Sequence, residues 1–273
     1  PKYILITGKI LNFLSPALAT KFASYLFLKP FRYDLPKREK EMDQNSVQEK
    51  LVLPSSQKEI VSYQYGDSGN KILLVHGWSG RGTQLAVIAE TLLQNGYSVV
   101  AFDAPAHGKS AGTMSMMPYF IEAIHYLNKL HGPFEAAIGH SLGGMSVLKA
   151  VKEGLPVKKS IIIGTANSIT QVTQEFVQNL QMKENIAVRM KAHFDKQFGE
   201  DMDNYSGAFS AEGIQIPCLI VHDTEDVDVH VSSAHEIHEV MPSSELLITS
   251  GLGHRRILGD KKVINRIIDF IKA

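Results

Sequence analysis

Gly139-His140-Ser141-Leu142-Gly143-Gly144 sets a serine among glycines, directly after an apolar strand predicted over residues 135–138 and at the start of a helix predicted over 141–152. A serine on such a sharp strand-to-helix turn is lifted clear of the sheet, and the flanking glycines let neighbouring backbone approach without a clash. The first turn of the helix aims unpaired N–H groups at the same spot, where negative charge developing on a substrate oxygen would be stabilised. Taken without partners, the same residues also read as a glycine-rich helix start with Ser141 as a simple cap.

A serine hydroxyl is a weak nucleophile at neutral pH and needs a base. The chain has 11 histidines. His76, His107, His125, His131 and His140 precede or flank the serine, His193 lies in a polar helical stretch, and His230, His235 and His238 fall on or beside a helix. His254 differs: it follows a strand in Gly251-Leu252-Gly253-His254, a flexible loop able to swing an imidazole over the sheet edge. The acid that would orient it is sought in the loop after the strand ending near Val221, which carries Asp223, Glu225, Asp226 and Asp228. Asp223 comes too early there, because a strand needs a few residues of turn before a side chain can point back across the sheet edge.

These residues need a scaffold. Residues 47–53 and 59–65 read as two strands joined by the Pro54-Ser55-Ser56 turn, segments at 72–76, 98–102, 135–138, 160–163, 218–221 and 245–249 read as further strands, and helical spacing fills most of the intervals. Apolar strands alternating with amphipathic helices predict an α/β fold, a mostly parallel central sheet with helices on both faces. Residues 166–211 break the alternation with a long, polar-rich helical stretch. It is expected to form a helical cap insertion, with Phe176, Leu180, Met182, Val188, Met190, Phe194 and Phe198 either lining a pocket over the strand ends or packing the cap onto the domain. The domain proper is expected over 47–273. Residues 1–46 read as N-terminal amphipathic helices followed, over 29–46, by a proline-punctuated surface linker.

Composition narrows the partners. With 28 Lys and Arg against 28 Asp and Glu, no global field recruits nucleic acid or anionic lipid, which argues against both as principal partners. The apolar stretch over 3–28 is interrupted by Lys9, Asn12, Pro16 and Lys21, which leaves it short of a spanning helix and unlike a secretory signal. It is expected to pack on the domain, and a peripheral membrane contact through these helices is the sharper alternative. The single cysteine, Cys218, sits in an apolar run and reads as a buried thiol, compatible with a reducing compartment. A cytoplasmic protein, with membrane association as the alternative, is the resulting expectation. No His-Glu-x-x-His spacing, no Gly-x-Gly-x-x-Gly after the first strand and no Walker loop occur, so neither a metal nor a nucleotide cofactor is expected.

From about residue 58 to the end, the chain resembles the α/β-hydrolase superfamily, with several motifs in that family's order. His76-Gly77-Trp78 resembles its oxyanion loop. Residues Asp103 to Ser110 resemble its Asp-x-x-Gly-x-Gly-x-Ser loop, with His107 where Arg or Gly is more usual. Gly139 to Gly143 resembles the nucleophile elbow. The run from His222 to Val229 resembles the acid loop, with Asp223 in place of the usual glycine, and Gly253-His254 resembles the histidine loop. The resemblance implies Ser141 as nucleophile, His254 as base and Asp226, three residues before Val229, as acid, in the chain order the fold uses. It implies an oxyanion hole from the backbone N–H groups of Trp78 and Leu142, with His76 bracing its loop.

A serine at the elbow separates the chain from the epoxide hydrolases and haloalkane dehalogenases of the family, which carry aspartate there. The implied activity is that of an esterase, lipase or thioesterase, cleaving a small-molecule acyl ester or thioester through an acyl-serine intermediate. Two other readings remain open at the level of sequence: a non-catalytic binding protein on the hydrolase fold, and a peptidase or acyltransferase using the same triad.

Overall fold

Uninterrupted runs of Ile, Val, Leu and Ala build the centre of the molecule. The computed structural model describes residues 2–273. Among them, strands β1 (Val47–Val52), β2 (Glu59–Tyr65), β3 (Lys71–Val75), β4 (Ser98–Asp103), β5 (Ala136–His140), β6 (Lys159–Ile163), β7 (Cys218–Asp223) and β8 (Ser244–Thr249) form one sheet. Its order is β1-β2-β4-β3-β5-β6-β7-β8. The pairs β1–β2 and β2–β4 are antiparallel, and every pair from β4 through β8 is parallel.

Two short helical pieces precede the sheet, α1 (Lys2–Leu14) and α2 (Pro16–Phe27), and α3 (Lys40–Asn45) leads into it. The crossovers carry α4 (Ala86–Gln94), α5 (Met117–His131) and α6 (Leu142–Lys152). Between β6 and β7, across the stretch 166–211, lie α7 (Ile169–Asn179), α8 (Asn185–Phe198) and α9 (Gly207–Ala211). Helices α10 (Ser232–Glu239), α11 (Gly253–Arg256) and α12 (Lys261–Lys272) complete the chain.

Side-chain alternation divides the core between the two faces. Leu73 and Val75 pack with Phe120 and Ile124 of α5 and Val147 of α6, while Ile72 and Leu74 pack with Ile88 and Leu92 of α4 and Ile264 and Ile267 of α12. Each such fully buried aliphatic side chain contributes about 1.5–3 kcal/mol. Both faces are covered, as a parallel sheet requires. The chain leaves β3 for β4 on one side and returns to β5 on the other, so the loops after β3 and β5 meet at one point of the carboxyl edge. In open α/β sheets that switch point is where ligands bind.

The N-terminal segment is tied to this body. Pro16 ends α1 and opens α2, where the Ser15 hydroxyl accepts from Leu18 N (3.4 Å). The ring of Phe27 lies 5.1 Å from Phe176, edge-on, and 5.8 Å from Phe194, stacked. The stretch 29–46, expected as a surface linker, is stitched down. The Arg32 guanidinium donates to the carbonyls of Ala106 (3.1 Å), Ser110 (2.6 Å) and Gly112 (3.2 Å). Buried Glu39 accepts from Thr83 Oγ1 (2.8 Å) and pairs with Arg81 (3.5 Å), and Met42 is fully buried. Local composition could not announce this, because every partner lies more than 40 residues away. No helix among the described residues is long and apolar enough to cross a membrane.

Candidate active site

Ser141 has φ 54° and ψ −120°, a conformation L-residues avoid and which costs on the order of 1–3 kcal/mol. The turn is held by Ser141 N donating to Ile163 O (2.8 Å) and Gly144 N donating to Ser141 O (2.9 Å). Its glycines are a steric necessity. A Cβ at Gly139 would stand 2.4 Å from the Gly143 oxygen, and one at Gly143 would stand 2.3 Å from the Val75 oxygen. The loop after β3 touches the same turn: a Cβ at Gly77 would lie 3.0 Å from Ser141 Cβ.

The loops after β7 and β8 bring Asp226 and His254 together. His254 Nδ1 and Asp226 Oδ2 are 2.7 Å apart, with side-chain exposures of 9% and 1%. Asp226 Oδ1 accepts from the amides of Asp228 (2.9 Å) and Val229 (2.8 Å), which leaves Oδ2 for the imidazole. Burial pushes the Asp226 carboxyl up, but the hydrogen bonds from His254 and Val229, and His254's charge, outweigh it and hold it below its ordinary range. As a carboxylate it accepts, so Nδ1 carries a proton. The loop after β6 closes the third side. Gly164 (φ 58°) lies flat against the pair, and a Cβ there would meet His254 Nδ1 at 3.2 Å and Asp226 Oδ2 at 3.4 Å. No hydrogen bond joins Ser141 Oγ to His254 among the described residues.

Two further groups support His254, which sits in the first turn of α11 rather than on the free loop expected. The Asp223 carboxylate accepts from Leu252 N (3.1 Å), Gly253 N (2.9 Å), Glu225 N (2.9 Å) and Thr249 Oγ1 (2.7 Å). Burial opposes its charge, yet these four donors take it down to about 2. Asp223 therefore clamps the acid loop to the histidine loop, a positioning role that a reading based only on its distance from the strand end had passed over. Its place where the family carries glycine was the available signal. His140 Nε2 donates to the His254 carbonyl (2.9 Å), and the two rings lie 4.6 Å apart. Asp228 is a surface residue, paired with Arg255 at 3.3 Å.

On the opposite side of Ser141, most amides of the Gly77 loop are used internally. Gly77 N donates to Gln84 Oε1 (2.8 Å), Ser79 N to His107 Nε2 (3.1 Å) and Gly80 N to Gly77 O (3.0 Å). The amides of Trp78 and Leu142 have no hydrogen-bond partner among the described residues. His76 braces the loop: Nε2 accepts from Ala104 N (3.1 Å) and Nδ1 donates to Gly77 O (2.7 Å). The Trp78 indole packs edge-on against His107. Asp103 accepts from Tyr63 Oη (2.8 Å), Gly82 N (2.6 Å) and Lys109 N (2.7 Å), and a Cβ at Gly108 would collide with its carboxyl at 2.3 Å.

Several residues of the stretch 166–211 pack on the N-terminal helices. Phe176 and Phe194 grip Phe27, Met182 covers Gly8 of α1, and Val188 is exposed. Helices α7 and α8 and the turn between them thus meet the N-terminal helices, a pairing across more than 140 residues of chain.

Burial disfavours the protonated form of five imidazoles. It takes His107 down to about 4, His140 down to about 3 and His76 well below its ordinary range, and it lowers His222 and His131. In the unfolded chain each titrates near 6.5. Below that pH the unfolded state binds protons that the folded state refuses, so stability is full above about 6.5 and falls as pH drops toward 4. Raised carboxyls at Glu39, Glu90 and Asp103 act with the opposite sign, three groups against five. Thermal unfolding followed by circular dichroism should therefore give a lower Tm at about pH 5 than at about pH 7.5. An equal or higher Tm at the acid value would contradict this balance.

Among the described residues no three His, Cys, Asp or Glu side chains converge as a metal site would require. The chain matches the model of the alpha/beta hydrolase family over residues 72–212, just over half its length. No curated protein matches it. Among solved structures it is similar to an esterase from Pyrococcus furiosus, at 17% identity and a TM-score of 0.67 over 89% of this chain and 98% of that one. An esterase from Exiguobacterium antarcticum gives 18% identity and 0.62 over 81% and 98%. Mouse alpha/beta hydrolase domain-containing protein 10 gives 16% and 0.65 over 83% and 97%. At these identities the likeness to solved structures is one of fold. Sheet order and the family match over 72–212 lead to one conclusion: the chain belongs to the alpha/beta hydrolase family.

Proposed function

We propose that the chain is a serine hydrolase that cleaves a carboxylic ester or thioester through an acyl-serine intermediate. The observation that carries this reading is the convergence at one sheet edge of a strained, glycine-flanked Ser141 and an imidazole hydrogen-bonded to a buried carboxylate. Two fold neighbours are esterases by name, which agrees with the choice of substrate class.

In this mechanism His254 Nε2 takes the Ser141 proton as Oγ attacks the acyl carbonyl. Negative charge moves to the carbonyl oxygen, where the unpaired amides of Trp78 and Leu142 donate to it; losing one such donor typically costs 10²–10³ in turnover. Asp226 holds the tautomer and stabilises the imidazolium without taking the proton. Collapse of the tetrahedral intermediate expels the alcohol or thiol, protonated by His254. Water, activated by the same Nε2, then releases the acid and restores Ser141.

A fluorophosphonate probe tests the reading. Its phosphorus is attacked only by an activated serine, so the wild-type protein should be labelled, with the adduct on the peptide that holds Ser141. No labelling, under conditions where a control hydrolase reacts fully, would favour a binding protein on the hydrolase fold.

A further inference from the structure

Helix α1 is apolar on two faces. Ile4, Leu5 and Leu11 turn inward onto the core, and Gly8 rests on Met182. On the outer side Tyr3, Ile6, Ile10 and Phe13 follow one another at helical spacing, each more than half exposed and Phe13 86% exposed. Leu14 and Leu18 carry the stripe across the turn into α2. Contiguous apolar surface of this kind marks a face that another apolar phase covers.

Charge selects the phase. Residues 2–33 contain Lys2, Lys9, Lys21, Lys29 and Arg32 and no acidic residue, within a chain whose charges balance overall. The four lysines are exposed, and their stems can lie along the stripe with the ammonium groups at its rim. A second copy of the chain would set this positive charge against its like. A phospholipid surface with anionic headgroups satisfies both features: the acyl boundary takes the aromatic and aliphatic side chains, and phosphates take the lysines. We infer that the outer face of the α1–α2 hairpin docks on an anionic phospholipid surface.

The hairpin's exit strengthens the assignment. Directly after α2, Phe31 N donates to the hydroxyl of Ser79 (2.9 Å), the residue following Trp78, and the Phe31 side chain is exposed. The segment that leaves the hairpin thus touches the loop that carries Trp78. The hairpin also grips the cap through Phe27.

Cosedimentation of the full chain with vesicles tests the inference. It reads binding and not turnover, so it stands apart from the role assigned to Ser141. Wild-type protein should pellet with vesicles of phosphatidylcholine mixed with phosphatidylglycerol, and less with phosphatidylcholine alone. An Ile6→Asp, Ile10→Asp, Phe13→Asp triple variant should stay in the supernatant while keeping its circular dichroism spectrum and its hydrolysis of a water-soluble ester. A Lys2→Gln, Lys9→Gln, Lys21→Gln variant should bind on the order of a hundredfold more weakly, about fivefold per lysine. Wild-type protein that remains in the supernatant overturns the inference. So does a triple Asp variant that pellets as well as wild type, or gel filtration in which that variant merely disperses a dimer that never binds vesicles.

Discussion

Ser141→Ala is expected to abolish ester hydrolysis, with turnover falling by on the order of 10⁶, as when a serine triad loses its nucleophile. The substitution suits this site because it removes little else. Ser141 Oγ caps no amide of α6. The strained backbone is held by Ser141 N and O, which alanine keeps, and its Cβ still packs against Gly77. The free energy of unfolding should therefore stay within about 1 kcal/mol of wild type. The decisive measurement is kcat on an activated short-chain ester, with fluorophosphonate labelling alongside. Residual turnover above about a tenth of the wild-type rate would remove Ser141 from the mechanism, since no partial role accounts for so small a loss.

The ease with which Ser141 is found in the sequence has a physical cause. Gly139 and Gly143 cannot bear a Cβ without collision, so the turn writes its own spacing into the chain. The sheet is legible for a related reason: central strands buried on both faces must be continuous apolar runs, and each of the eight regions read as strands matches one of β1 to β8 to within two residues at either end. What stayed hidden depends on contacts between distant residues. The clamp at Asp223 joins it to amides about 30 residues away, and a carboxylate in a polar loop looks the same whether it meets four donors or water. His140 occupies the variable position of the elbow motif, so only the fold shows its bond to the His254 carbonyl. The apolar residues of α7 and α8 have helical periodicity toward some partner. Periodicity cannot name that partner, and only the fold shows that Phe176 and Phe194 meet Phe27.

The acidic loop offers the sharper discrimination. Asp226→Asn is expected to lower turnover by about 10⁴, the loss seen when the acid of a serine-protease triad becomes its amide. The geometry supplies the reason. Asp226 Oδ1 must go on accepting from the amides of Asp228 and Val229, so the asparagine oxygen stays there and its NH₂ takes the place of Oδ2, 2.7 Å from His254 Nδ1. A donor at that point turns the imidazole to the tautomer protonated on Nε2, and Ser141 then faces an N–H instead of a lone pair. Asp228→Asn removes only an exposed pair with Arg255, worth at most about 1 kcal/mol of stability, and should leave kcat within about twofold. Asp223→Asn falls between them. It keeps one accepting oxygen but turns a donor toward Leu252 N and Thr249 Oγ1, which loosens the loop that sets His254. A displacement of about 1 Å there costs about 10² in turnover, and it should be accompanied by a lower Tm, because buried donors lose their acceptor. The three variants thus separate orientation of the base from support of its loop: kcat ranks them Asp226, Asp223, Asp228 from most to least damaged, and the kcat loss at Asp226 far exceeds anything its Tm explains. If Asp228→Asn proves inactive while Asp226→Asn turns over normally, the acid has been assigned to the wrong carboxylate, and the bond between Asp226 and His254 serves only to hold the two loops together.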